Sequence, residues 1–269
     1  MRIKIKILLI LLCICKIGCS QLTYIPSKYS AGEKFKMEVY YNWGFIWLNA
    51  GWVTFEIKDT IWNNTKAYHL YSEGSTYSGY DWFFKVRDKY EAVVEPKLYK
   101  PYWFRCNTQE GGNWSKGEIV FNYENHQAIT QTETAKRKFG IDTLKITPKT
   151  TDLISAIYIA RSIDFSKIKE KESVPISVII DNEVFSLHFR YLGKEIINTK
   201  SEKKYKCKKF AVKMVEGTIF NGGEDLTAWV TDDLNNLPIL VEAKILIGSV
   251  KAFLTDVEGN KWELKKEKN

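Results

Sequence analysis

Apolar and polar residues alternate along most of the chain. Phe35, Met37, Val39 and Tyr41 interleave with Lys34, Lys36 and Glu38; Val53, Phe55 and Ile57 follow the small pair Ala50-Gly51; Ile119, Phe121 and Tyr123 interleave with Glu118 and Asn122. The same rhythm returns at Phe185, Leu187, Phe189 and Tyr191, and again at Ile239, Val241, Ala243, Ile245 and Ile247 after Pro238. A period of two sends successive side chains to opposite faces, so each run predicts a strand with one buried face. Turn residues separate the runs at Asn63-Asn64, Glu110-Gly111-Gly112-Asn113, Glu124-Asn125, Asp181-Asn182, Asn221-Gly222-Gly223 and Asp232 to Pro238. Such spacing predicts hairpins of long antiparallel strands rather than parallel crossovers.

One segment departs from this rhythm. In TTDLISAIYIARS, residues 150–162, Leu153, Ile154, Ile157 and Tyr158 recur at helical spacing, with Thr150 or Thr151 as the expected cap and Asp152 in the first turn. The expectation is a mainly β protein: a large curved antiparallel sheet, or an open barrel or half-barrel, with one short amphipathic helix packed against it. No Pro-, Gly- or Ser-rich linker divides it, so residues 21–260 read as a single β-rich domain, followed by a charged tail at 261–269.

The start of the chain reads differently. Arg2, Lys4 and Lys6 precede an unbroken apolar run from Ile7 to Cys15, the pattern of a secretory signal peptide over residues 1–20. The run is shorter than the ~20 apolar residues needed to span a bilayer. Two readings of its end are open. Cleavage after Ser20 gives a soluble exported protein, and Ile17-Gly18-Cys19 resembles a lipobox that would make Cys19 a lipidated first residue, with Lys16 standing where a lipobox carries an apolar residue. The expected location is the periplasm or the outer membrane, with membrane association only if Cys19 carries lipid.

Removing the leader changes the charge argument. The whole chain has a net charge of +8, but residues 1–20 hold four basic residues and no acid, which leaves +4 for the working protein. Nucleic acid is therefore not an expected partner. The leader also takes three of the five cysteines, leaving Cys106 and Cys207 as one candidate disulfide or two separately buried thiols.

Catalytic and metal signatures are not found. His69, His126 and His188 are isolated, without HExxH, CxxC, GxSxG, SxxK or a phosphate-binding loop, and no cofactor is expected. Carboxylate pairs can come from anywhere in a chain, so Asp81, Asp88, Glu91, Glu195 and Asp232 are conceivable members of a glycan-hydrolysing dyad. Aromatic density is the less ordinary feature: seven of nine tryptophans fall between Trp43 and Trp114. They read as core rings, as the lining of an apolar cavity or as a stacking platform, which makes Trp43, Trp47 and Trp82 candidate ligand-binding residues. Arg87 joins them as the cation of the strand Lys85–Glu91; if buried it needs a carboxylate, for which Glu195 is one candidate. Six lysines between Lys200 and Lys209 form a basic hairpin rim, able to meet anionic headgroups or to block edge pairing.

Five stretches together carry a family resemblance: AGEKFKMEVYYNWGFIWLNAGWVTF (31–55), DWFFKVRDKYEAVVE (81–95), TDLISAIYIARSIDF (151–165), RYLGKEIINT (190–199) and AWVTDDLNNLPILVEAKILIGSVKAFL (228–254). They resemble the exported bacterial family known as domain of unknown function 3108, best represented in the Bacteroidetes. The resemblance implies a β-rich envelope protein with no assigned activity and no established site residues to carry over. Within YNWGFIWLNAGW, Gly44 and Gly51 are placed to let a strand bend or another backbone approach closely. The expected function is non-catalytic binding of an apolar or amphiphilic envelope ligand, a lipid or a glycan, by the curved sheet of a monomer. The alternatives are a glycan hydrolase and a structural or scaffold protein of the envelope.

Overall fold

Strand pairing follows the alternation. In the computed structural model, which describes residues 23–43, 45–214, 223–244 and 248–265, the strands form one fifteen-stranded sheet. β1 (Lys34–Trp43), β2 (Ile46–Trp62), β3 (Thr65–Thr76), β4 (Arg87–Val94), β5 (Pro101–Glu110), β6 (Asn113–Asn122), β7 (Gln127–Thr134) and β8 (Gly140–Lys145) run as an antiparallel meander from the middle of the sheet to one edge. A four-residue helix, α1 (Asp81–Phe84), lies between β3 and β4. The chain then crosses to the other edge through β9 (Thr150–Thr151) and α2 (Leu153–Arg161). β10 (Ser173–Ile180), β11 (Glu183–Asn198), β12 (Lys204–Met214), β13 (Gly223–Thr231), β14 (Pro238–Lys244) and β15 (Ser249–Glu258) return to the middle, where β15 pairs antiparallel with β1. The leader, Cys19 and residues 266–269 lie outside the described residues, as do Ile245 and Ile247 of the last stripe.

The two outer edges curl toward each other. Thr130 on β7 donates a hydrogen bond to Asn182 in the β10–β11 turn, and Asn182 Nδ2 donates to Asp142 Oδ2 on β8 at 3.0 Å. Ile179 of β10 accordingly packs in one core with Leu70, Phe104, Ile119 and Phe121 of the first meander. Gly51 allows the close strand approach expected of it, since a Cβ there would collide with the Ser75 backbone. Gly193, at φ +96°, stands at the irregularity that bends β11 between Tyr191 and Lys194.

Helix α2 forms where expected but is capped one residue later. Asp152, not Thr150 or Thr151, is the N-cap, accepting from the Ser155 amide at 2.8 Å. The threonines are taken by the sheet: Thr150 and Thr151 pair parallel with Ser177 and Val178 of β10. The buried stripe is Ile154, Ser155, Tyr158 and Arg161, while Leu153 is exposed. Ile154 and Tyr158 fill the concave side of the first meander.

Arg161, the last residue of α2, forms a buried clamp. Its guanidinium meets both oxygens of Glu33 at 2.7 and 3.1 Å, and both side chains are at most 3% exposed. The rings of Tyr29, Phe35 and Tyr158 surround it at 4.0–5.3 Å. Its carbonyl accepts from Lys28 Nζ, the Tyr29 hydroxyl and Asn236 Nδ2. Burial alone disfavours the charged guanidinium, but the Glu33 carboxylate outweighs that cost. Removing one partner strands the other charge in the interior. Glu33→Gln or Arg161→Met is therefore expected to lower the unfolding free energy by ~3–5 kcal/mol in urea titrations, with the joint Glu33→Leu/Arg161→Met variant recovering most of the loss. Single-variant costs below ~1 kcal/mol would contradict the clamp.

Candidate functional site

The concave side of the first meander is occupied by protein. Ile57, Leu70, Ala92, Val94, Phe104, Ile119, Phe121, Ile154 and Tyr158 form one buried cluster there, so a ligand has to be sought elsewhere. A cleft of about 580 Å³ opens beside the Arg161 clamp. One wall is apolar, made by Ile25, Phe165, Tyr191 and Trp262; the other is charged, made by Lys28, Lys194, Lys208, Asp232 and Asp233.

Each charged group is positioned by the fold. Lys28 is 1% exposed and donates from Nζ to the Arg161 carbonyl at 2.9 Å, which engages one of its three N–H donors. Burial lowers its pKa to about 7, reinforced by the nearby charges of Lys208 and Arg161 and opposed by Asp233 and Asp164. Lys208, from the basic hairpin, reaches Asn236 Oδ1 at 2.8 Å and Asp232 at 3.5 Å, and burial lowers its pKa too. Lys194 pairs with Asp232 at 2.7 Å and is held charged by that hydrogen bond. Asp233 organises the β13–β14 turn by accepting from the Thr231 hydroxyl at 2.6 Å and the Asn235 amide at 2.8 Å. Asn235 in turn holds the C-terminal segment, donating to the Trp262 carbonyl at 3.0 Å. The expected charged tail therefore begins as a docked segment that completes the cleft wall.

The residues predicted for ligand binding lie elsewhere, on β1, β2, α1 and β4. Trp47 stands beside the β1–β2 turn, with Lys200 and Lys251 within 5.3 Å of its ring. Trp82 projects from α1 and is 83% exposed. Trp43 ends β1, and its side chain lies outside what is described. Arg87 is half-buried rather than buried, and its partner is Asp81, at 2.6 and 3.1 Å, rather than Glu195. Glu195 instead meets Lys209 at 3.0 Å. Asp81 is held below the usual carboxylate range by the hydrogen bonds from Arg87 and Thr76. The candidate disulfide is not formed: Cys106 and Cys207 are both free thiols. They belong to different hydrophobic clusters, and burial pushes them to about 11 and about 12.

Among the acids considered for hydrolysis, Asp88 has a close carboxylate neighbour. Burial and the adjacent Glu110 raise its pKa to about 7, and the two carboxyls share a hydrogen bond. Contact between them leaves none of the ~5–9.5 Å separation that a sugar and its nucleophile occupy in glycosidases. His69 bonds Glu91 at 3.2 Å on the half-exposed sheet surface. Among the described residues no group of three metal-ligating side chains converges.

Comparison with other proteins agrees with the strand pattern. The sequence pattern of the family described as protein of unknown function DUF3108 matches residues 36–255, most of the described sheet. The chain belongs to the DUF3108 family. No curated protein matches it. Among solved structures, this chain resembles a β-barrel-like protein of domain of unknown function DUF1849 from Brucella abortus, with 10% identity over 85% of this chain and 98% of that one and a TM-score of 0.55. That likeness is one of fold. Lys28 and Trp262, which line the cleft, lie outside the matched segment.

The Asp88 pair gives a pH signature. An acid whose folded pKa is raised binds more protons in the folded than in the unfolded state, so it erodes stability as pH rises from about 4 to about 7. Asp88→Asn should be a few degrees more stable than the parent at about pH 8, with the gain vanishing below about pH 4, in thermal unfolding followed by circular dichroism. A constant difference across that range would contradict the shared proton.

Proposed function

We propose that this DUF3108 protein is an exported, non-catalytic envelope protein that binds an anionic amphiphile in the cleft beside Lys28. The observation that carries the reading is the juxtaposition of a buried lysine with an apolar wall in one cavity of about 580 Å³. Drug-sized ligands occupy cavities of about 300–1,000 Å³ with apolar linings and a few fixed polar groups. An acyl chain would lie against Phe165, Tyr191 and Trp262, and its carboxylate or phosphate would take the free donors of Lys28. The leader at residues 1–20 supports export and thereby an envelope lipid as the source of the ligand. The filled sheet interior supports this cleft over the concave face, where the strand pattern alone would put a ligand.

Lys28 makes the reading testable by pH. Its charge, and with it the attraction for an anionic head, is present below about pH 7 and lost above it. Calorimetric titration with dodecanoate should show binding that weakens roughly tenfold between about pH 6 and about pH 8.5, while dodecyl maltoside, with the same tail and no charge, shows no such trend. Lys28→Met should abolish the pH dependence, and Trp262→Ala should weaken both ligands. Dodecanoate binding unaffected by Lys28→Met and Trp262→Ala alike would overturn the assignment.

A further inference from the structure

The two ends of the sheet differ in character. At one end lie the β1–β2 turn, α1 and the β3–β4 connection, the β5–β6 turn and the β7–β8 turn; at the other lie Asn63-Asn64, Glu124-Asn125 and the turn that begins at Asp232. Every Phe and Trp that is exposed among the described residues, seven in all, lies at the first end. Phe45 is fully exposed at the tip of its hairpin, and Trp82, Phe83 and Phe84 turn outward in succession along α1. Phe83 touches Tyr41 at 6.4 Å between ring centroids, which joins α1 to the β1–β2 hairpin, and Phe84 covers Gly111 of the next turn. Helix α1 thus touches the loops on either side of it, and the exposed rings crown this end of the sheet.

Burying none of these rings wastes a large apolar surface in water, and monomeric proteins seldom leave such a patch without a use. The crown is made of separate protruding tips instead of a groove or a flat face. A fluid apolar medium accepts that shape without needing a complementary surface. Cations flank it: Lys200 and Lys251 sit at 5.2 and 5.3 Å from the Trp47 ring, and Lys85 and Arg87 follow α1. Asp81 pairs with Arg87 and Glu242 with Lys251, and Glu110 at the β5–β6 turn shares its hydrogen bond with Asp88, so Lys85 and Lys200 are the cations of this patch that no ion pair engages among the described residues. Aromatic rings beside lysines are the composition of a membrane–water boundary, where rings settle at headgroup depth and ammonium groups meet anionic lipid.

We propose that the aromatic crown docks the protein onto an anionic phospholipid bilayer, with the rings of α1 and the β1–β2 hairpin inserted into the headgroup region. This contact is separate from the cleft beside Lys28 and needs no acyl group on Cys19. The test uses the exported, purified protein with Cys19→Ser in every variant, so that any remaining leader or anchor effect cancels in the comparison. Vesicles of phosphatidylcholine and phosphatidylglycerol, in a ratio of about seven to three, are sedimented with the protein. The parent should bind, W82S/F83S should lose at least about tenfold in partition coefficient, and K200Q/K251Q should lose binding to these vesicles but not to pure phosphatidylcholine. Trp82 and Phe83 are outside every core cluster, and unchanged thermal unfolding of the double variant would confirm that folding is intact. Equal binding by parent and W82S/F83S overturns the proposal, as does a parent that binds neither vesicle. Concentration-dependent dimerisation that W82S/F83S removes, without vesicle binding, overturns it in favour of a second copy of the chain.

Discussion

Arg161 and Glu33 meet where three distant parts of the chain come together. The guanidinium ends α2, its carboxylate partner precedes β1, and its remaining contacts go to the carbonyls of Asn235 and Asn236 in the β13–β14 turn. A charge this deeply buried is tolerable only when its partner and its hydrogen bonds are all in place. The pair therefore fixes geometry more than it adds net stability. Because the Arg161 carbonyl also holds Lys28, the same clamp sets the floor of the cleft. A change in the helix end would be felt at a lysine that is more than a hundred residues away in sequence.

The topology explains why the helix must be there. The chain starts in the middle of the sheet and must reach the opposite edge before it can return to pair β15 with β1. α2 makes that crossing on the concave side, and its apolar stripe closes the space that a curled sheet leaves between its faces. The consequence is an occupied interior. The two proposed binding surfaces therefore lie where the sheet's contents run out: the turn region around Asp232 and the opposite, aromatic end.

Much of this architecture is legible in the sequence. The stripes at Phe35–Tyr41, Val53–Ile57 and Ile119–Tyr123 each became a strand, because a half-buried strand leaves its period in the residue order. The helix is equally visible, but its cap is not. Thr150 and Thr151 have good capping side chains, yet β10, a non-local partner, claims them first. The same limitation hides the pairing of β1 with β15 and the meeting of Glu33 with Arg161, since no local pattern announces a contact across the whole chain. Lys28 reads as an ordinary loop lysine, and only its place beneath Arg161 makes it unusual. Trp82-Phe83-Phe84 does carry a signal: three consecutive large apolar residues without alternation, shortly after Ser78-Gly79, fit neither a half-buried strand nor a two-faced helix. Ring density alone does not separate core, cavity and platform, whereas the interruption of the period is a sign of exposure.

The proposed ligand lies beside Lys28 and not within the sheet. Photo-crosslinking with a diazirine-bearing fatty acid, followed by peptide mapping, reads that position directly. Adducts confined to the peptides containing Phe165, Tyr191 and Trp262 are the predicted result; adducts on Leu70, Phe104 or Phe121 would place the chain inside the sheet and contradict the account.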